Sequence, residues 1–119
     1  AARQAAEQLG ATLVDMRWVK PLDGELVLEL AADHTLLVTV EENAIAGGAG
    51  AGVSEVLSQA SVETPVLHLG IPDQFVEHGD HGEQLSAMGL DGNGIVNSIQ
   101  NRLAAMNAPD GPARIKATQ

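Results

Sequence analysis

The apolar run from Leu36 to Val40, with the sequence LLVTV, constrains the fold more than any other feature of the chain. The run does not alternate between apolar and polar residues, and it contains β-branched side chains. A strand of this kind is covered on both of its faces, as in parallel sheets that carry helices on either side. The run therefore indicates an α/β domain.

Helical and strand patterns alternate along the rest of the chain. The predicted strands are 12–18, 36–40 and 65–69, and the predicted helices cover about 1–9, 23–32, 49–60, 83–88 and 91–106. Alternation with short loops predicts a mostly parallel sheet with helices on both faces and right-handed crossovers. Asp23 and Asp91 are placed to cap the helices that follow them, and Gly10 ends the first helix.

The domain organisation follows from length and from the composition of the two ends. A chain of 119 residues has the size of one domain. The first helix has no strand and no capping residue before it, so we expect residues 1–107 to form a domain that is incomplete at its N-terminus. Residues 108–119 contain two prolines and one glycine without periodicity, which predicts a disordered tail.

Charge and composition argue against several classes of function. Sixteen acidic residues against six lysines and arginines give a formal net charge of −10. A surface with this much negative charge repels phosphate backbones and anionic lipids. We therefore expect no nucleic-acid or membrane partner. The chain has no cysteine, which excludes disulfides and thiolate metal sites. No apolar stretch has the length of a membrane span, and we expect a cytoplasmic protein.

A glycine-rich stretch between a strand and a helix is the first candidate site. Its backbone N–H groups, at Gly47, Gly48, Ala49 and Gly50, could hold an anion at the helix N-terminus. The spacing does not match the dinucleotide fingerprint, and the lysine of a phosphate-binding loop is absent. Tight packing of helix against sheet is the favoured interpretation of these glycines, and the anion site stays the alternative.

Other polar residues yield no catalytic or metal site. Glu41 and Glu42 end a parallel strand, where carboxylates could do acid–base chemistry, but no histidine partner follows, so capping or contact with a neighbouring domain is favoured. His78 and His81 lie in a loop with glycines, where a complete zinc site is not expected. We interpret His68 as a hydrogen-bonded core residue.

Four motifs in order carry a resemblance to a known family. They are Asp15–Asp23 (DMRWVKPLD), Val40–Ala44 (VEENA) with Gly47–Gly50, Leu69–Phe75 (LGIPDQF) and Gly89–Asp91 (GLD). Together they resemble the C-terminal domain of the 1-deoxy-D-xylulose-5-phosphate synthase family, which has the transketolase C-terminal fold. The resemblance runs from about Ala1 to Ala104.

The resemblance implies a transferase that depends on thiamine diphosphate and magnesium and acts as a homodimer. Enzymes of this family join pyruvate to glyceraldehyde 3-phosphate with loss of carbon dioxide, for isoprenoid, thiamine and pyridoxal synthesis. Their catalytic and cofactor-binding residues belong to preceding domains, so this chain is expected to bind no cofactor and to be non-catalytic alone. Its role would be structural, with a candidate domain or dimer interface formed by Asp15, Arg17, Lys20, Asp23, Glu41, Glu42 and Asn43.

The resemblance also implies a strand before the first helix, located inside the sheet beside 12–18. We expect the chain to be a fragment of a longer polypeptide in which another segment supplies that strand. Two other functions remain open. One is a free-standing anion- or nucleotide-binding module, and the other is a regulatory domain that senses a metabolite at the glycine-rich helix N-terminus.

Overall fold

The computed structural model describes residues 1–16, 22–44, 48–71, 85–107 and 115–118, with the backbone alone for 42–44, 107 and 115–118. The labelled helices are α1 (Ala2–Leu9), α2 (Gly24–Asp33), α3 (Ala49–Gln59) and α4 (Gly92–Asn107). The labelled strands are β1 (Thr12–Val14), β2 (Leu36–Ala44), β3 (Val66–Ile71) and β4 (Ile115–Thr118).

The described strands form one parallel sheet in the order β1-β4-β2-β3. Strand β2 pairs with β3 from Leu37 opposite Val66 onward, and the register shifts between Val40 and Ala44. On its other side β2 pairs with β4, which in turn pairs with β1. The predicted α/β class with a parallel sheet is confirmed.

Helices cover both faces of this sheet, as the apolar run in β2 predicts. Leu37 packs with residues of α2 and α3, including Leu30 and Val53. The neighbouring Leu36 and Val38 belong to a second cluster, which contains Ala5 of α1 and Ile95 and Ile99 of α4. Successive residues of β2 therefore serve two separate cores, and burying each of these large side chains contributes roughly 1.5–3 kcal/mol.

Local signals in the sequence define several helix ends. The Asp23 carboxylate accepts a hydrogen bond from the Leu26 N–H at 3.1 Å, at the start of α2. Asp91 accepts one from the Gly94 N–H at 2.8 Å and so caps α4. Gly10, with φ of 64°, ends α1 in the left-handed region, which glycine adopts without steric cost.

The strand boundaries differ from those expected. Strand β1 ends at Val14 rather than continuing toward Trp18, which lies outside the described residues together with Arg17 and Lys20. Strand β2 extends four residues beyond Val40, through the register shift. A short helical segment is described at 85–87, within the helix expected at 83–88.

The C-terminal tail departs most from expectation. Residues 115–118 form β4 between β1 and β2, where the sequence pattern leads us to expect no regular element. The backbone groups of the two flanking strands give this short segment hydrogen-bond partners on both sides, which local sequence patterns cannot reveal. The position beside β1, where the resemblance implies a strand ahead of the first helix, is thus filled by the tail. Residues 108–114 and 119 lie outside the described part.

Candidate functional site

The carboxylate of Glu41 caps a helix that begins on the other side of the glycine-rich stretch. Its Oε1 accepts a hydrogen bond from the Ala49 N–H at 3.0 Å, and its Oε2 accepts one from the Gly50 N–H at 2.8 Å. The residue at the N-cap position of α3 is Gly48, which has no side chain to do this. A charge from β2 therefore satisfies the first donors of α3 and interacts favourably with the helix dipole.

Gly50 allows this close approach of helix and sheet. A Cβ atom at this position would lie 2.5 Å from Oγ1 of Thr39 and 2.6 Å from Nδ1 of His68. Such distances are shorter than van der Waals contact, so any side chain would push α3 away from the sheet. The interpretation of the glycines as packing residues is confirmed at Gly50.

His68 of β3 connects three elements through its two ring nitrogens. Its Nδ1 lies 2.7 Å from Oγ1 of Thr39 on β2, and its Nε2 lies 2.8 Å from Oγ of Ser54 on α3. A neutral imidazole donates at one nitrogen and accepts at the other, and each hydroxyl can take the complementary role. The interpretation of His68 as a hydrogen-bonded residue is confirmed, although its side chain is half-buried rather than fully enclosed.

The electrostatic environment favours neutral His68. Burial lowers the pKa of the imidazole below its usual value of 6.5, and the negative charge of Glu41 opposes this only in part. The histidine is therefore uncharged at neutral pH. A neutral ring has one unprotonated nitrogen, which can accept a hydrogen bond from the hydroxyl of Thr39 or of Ser54.

The distance between Oγ of Ser54 and Nε2 of His68 is in the range found between a catalytic serine and its general base. The group on the other ring nitrogen is the hydroxyl of Thr39, however, which carries no charge that could stabilise an imidazolium ion. What the arrangement does is fix β2, β3 and α3 relative to one another at the carboxyl ends of the strands. We call Thr39, Glu41, Gly50, Ser54 and His68 the strand-end network.

The predicted anion site overlaps this network. The N–H groups of Ala49 and Gly50 donate to Glu41, so an external anion would have to displace a carboxylate of the same chain. Gly48 begins the helix as its N-cap residue, and Gly47 lies outside the described residues. Binding of an anion there stays a prediction.

The predicted interface residues are only partly described. Asp15 is exposed directly after β1, and Asp23 uses its carboxylate to cap α2. Glu42 and Asn43 lie in the irregular part of β2, where the backbone alone is described. The structure therefore brings Glu41 to α3 and Asp23 to α2, and a common interface of the predicted residues stays a prediction.

The histidine-rich loop with His78 and His81 lies outside the described residues. Among residues 1–16, 22–44, 48–71, 85–107 and 115–118, no group of three or more His, Cys, Asp or Glu side chains is arranged to hold a metal ion. The partners of His68 were not predicted from the sequence. Thr39 precedes it by 29 residues and Ser54 by 14, and no local pattern connects them.

Comparison with known proteins decides the family. Residues 1–95 match the family described as transketolase, C-terminal domain. The chain belongs to the transketolase C-terminal domain family. This range contains the whole strand-end network and every labelled helix or strand before α4, whereas β4 lies beyond it.

Relatives of this transketolase C-terminal domain confirm the more specific resemblance. It is 60% identical over 102 residues to 1-deoxy-D-xylulose-5-phosphate synthase of Thiobacillus denitrificans, which covers 86% of this chain and 16% of the relative. The synthase of Shewanella loihica is 60% identical over 103 residues, with 87% and 17% covered. The synthase of Acidovorax ebreus is 54% identical over 105 residues, with 88% and 17% covered. The chain thus spans about one sixth of the length of these relatives.

Within the described part of this transketolase C-terminal domain, no helix is both long enough and apolar enough to cross a membrane.

Proposed function

We propose that this chain is the C-terminal structural and assembly domain of an enzyme that makes 1-deoxy-D-xylulose 5-phosphate. The observation that carries the proposal is 54–60% identity to synthases of that name over 86–91% of the chain. The enzyme would convert pyruvate and glyceraldehyde 3-phosphate to this product and carbon dioxide, as a cytoplasmic homodimer. Its product would supply isoprenoid, thiamine and pyridoxal synthesis.

The cofactors thiamine diphosphate and Mg²⁺ belong, in this proposal, to other domains of the enzyme. The described residues offer no cluster of carboxylates or histidines for a metal ion. The polar groups that they do bring together, in the strand-end network, hydrogen-bond to one another rather than facing a common ligand. This favours a domain whose contribution is a stable, shaped surface for the rest of the enzyme.

The candidate contact surface consists of the residues at the carboxyl ends of β1 and β2. Asp15 is exposed there, and Glu42 and Asn43 follow the capping carboxylate of Glu41 in β2. Because Glu41 and His68 fix α3 against the sheet, the strand-end network would hold this surface in one conformation. We propose it, with Arg17, Lys20 and Asp23, as the interface to neighbouring domains or to the second subunit.

A binding or regulatory role at the N-terminus of α3 is the second candidate. It is supported by the presence of backbone donors at a helix start, where a phosphate group could replace the Glu41 carboxylate. Such a ligand would have to bind the N–H groups of Ala49 and Gly50 more strongly than the Glu41 carboxylate does, because that carboxylate already occupies them.

Calorimetric titration of the chain separates the two candidates. An assembly domain gives no saturable heat with thiamine diphosphate and Mg²⁺, or with inorganic phosphate. A binding module takes up phosphate stoichiometrically, and Ala49→Pro weakens that binding, because proline at the first helical position removes one donor without disrupting the helix. Tight binding of thiamine diphosphate by the chain alone would contradict the assembly proposal.

A further inference from the structure

The hydroxyl of Thr39 is the most deeply buried polar group in the side chains of the strand-end network. Thr39 is 2% exposed, and its Oγ1 lies 2.7 Å from Nδ1 of His68, its register partner on β3. A buried hydroxyl proton needs an acceptor, because a buried donor without a partner destabilises the fold. In the structure that acceptor is Nδ1 of His68.

Ser54 lies on the opposite, more accessible side of the imidazole ring. Its Oγ is 2.8 Å from Nε2 of His68, and the residue lines an open groove of about 320 Å³ together with Leu57, Val62 and Val66. Because solvent reaches this groove, the Ser54 hydroxyl can donate to water or accept from it, whichever role Nε2 takes. Neutral His68 is therefore expected to carry its proton on Nε2 and to accept at Nδ1.

Glu41 offers the Thr39 hydroxyl a second acceptor. The polar groups of β2 and β3 converge above the backbone of Gly50. A Cβ atom there would lie 2.5 Å from Oγ1 of Thr39, 2.6 Å from Nδ1 of His68 and 2.9 Å from Oε2 of Glu41. Oε2 already accepts the Gly50 N–H at 2.8 Å, and a carboxylate oxygen can accept more than one hydrogen bond.

Protonation of His68 removes the present acceptor of the Thr39 proton. An imidazolium ring donates at both nitrogens, so Nδ1 can no longer accept. Among the described residues, Thr39 and Glu41 face the ring from β2 and Ser54 faces it from α3, and the charge that acts on the ring is that of Glu41. Burial lowers the pKa of His68 below 6.5, so this change takes place in mildly acidic solution.

We propose that His68, Thr39 and Glu41 form a hydrogen-bond switch that a single proton operates. With His68 neutral, Thr39 donates to Nδ1, and both oxygens of Glu41 accept from the first turn of α3. With His68 protonated, Nδ1 donates to Thr39, and the hydroxyl turns to donate to Oε2 of Glu41.

The consequence is a weaker helix cap in acid. Oε2 of Glu41 then serves both the Thr39 hydroxyl and the Gly50 N–H, so the start of α3 is held less firmly against β2. The inference does not depend on the proposed enzymatic function, because every contact in it lies within the network itself.

Nitrogen NMR of the full 119-residue chain tests the neutral state. Above about pH 7.5, His68 should be the tautomer with its proton on Nε2 and with Nδ1 unprotonated. As the pH is lowered, the amide signal of Gly50 should shift with the same midpoint as the His68 ring. A neutral His68 with its proton on Nδ1 would overturn the proposal, because Thr39 could not then be the donor. An amide signal of Gly50 that does not follow the ring would overturn it as well.

Three variants separate the switch from a direct effect of the ring charge. Thr39→Val removes the hydroxyl at nearly unchanged shape and should diminish the Gly50 shift, and Thr39→Ser should restore it. Ser54→Ala is the matched control, because it removes the hydroxyl on the other ring nitrogen and should leave the Gly50 shift in place. A Gly50 shift undiminished in Thr39→Val, or lost equally in Ser54→Ala, would contradict the switch. If Thr39→Val does not fold, the tautomer of His68 in the original chain still decides.

Discussion

The carboxylate of Glu41 accepts a hydrogen bond from the backbone N–H of Gly50 at 2.8 Å, and so joins the end of β2 to the start of α3. The second oxygen of the same carboxylate is bonded to the neighbouring N–H, of Ala49. One side chain thus replaces the N-cap side chain that Gly48 lacks. This link is the basis of the first prediction.

Glu41→Ala should lower the free energy of unfolding by about 1–2 kcal/mol, because it leaves two helix donors without a partner. Glu41→Gln should lose less, since an amide oxygen can still accept one hydrogen bond. Urea unfolding measures both, with Glu29→Ala as the control, because Glu29 is exposed on α2 and should change stability by less than about 0.5 kcal/mol. Equal stability of Glu41→Ala and the control would show that the cap contributes nothing.

Gly50 and Gly52 provide a matched pair on one helix. Gly50→Ala should destabilise the fold by about 1–3 kcal/mol, because its Cβ would collide with Thr39 and His68. At Gly52 the nearest atom to a new Cβ is Cδ2 of Leu22 at 3.6 Å, an ordinary contact. Gly52→Ala should therefore stabilise the chain by about 0.5–1 kcal/mol through helix propensity. Thermal unfolding of both variants checks the opposite signs, and a neutral or stabilising Gly50→Ala would refute the close packing.

Stability should decrease between pH 7.5 and pH 5 in part because of His68. Its pKa in the folded state lies below 6.5, so the unfolded chain binds a proton more readily than the folded one. The stabilisation is complete above the unfolded pKa and is lost as pH falls through 6.5 toward the folded value. His68→Gln removes this titration, so its unfolding free energy should vary less over the same range. If the unfolding free energies of the original chain and of His68→Gln changed equally with pH, the lowered pKa of His68 would be contradicted.

Asp23 allows capping to be separated from interface formation. Asp23→Asn retains an oxygen for the Leu26 N–H, whereas Asp23→Ala removes it and should cost about 1 kcal/mol of stability. If Asp23 acts only as a cap, the asparagine variant should match the original chain both in stability and in assembly with the remaining enzyme. Loss of assembly in a stable Asp23→Asn variant would instead show that its charge forms part of the interface.

The sequence predicts those parts of the fold that depend on local pattern. The apolar run at Leu36–Val38 requires cover on two faces, and Asp23 and Asp91 are capping residues whose partners are three positions away. Strand β4 could not be predicted from local pattern, because it pairs with two strands that are far away in the sequence. In addition, a lysine at position 116 is not typical of an inner strand. The same holds for the strand-end network. Glu41 is recognisable as a cap, but the distance in sequence from His68 to Thr39 conceals their hydrogen bond.

The proposed role is tested most directly by activity in a chimera. The C-terminal segment of the Thiobacillus denitrificans synthase that matches this chain is replaced by the chain itself, guided by their 60% identity. Formation of 1-deoxy-D-xylulose 5-phosphate from pyruvate and glyceraldehyde 3-phosphate is then measured. An assembly domain of such a synthase predicts a dimeric chimera with product formation comparable to that of the parent enzyme. A folded chimera that binds thiamine diphosphate and yet forms no product would contradict it.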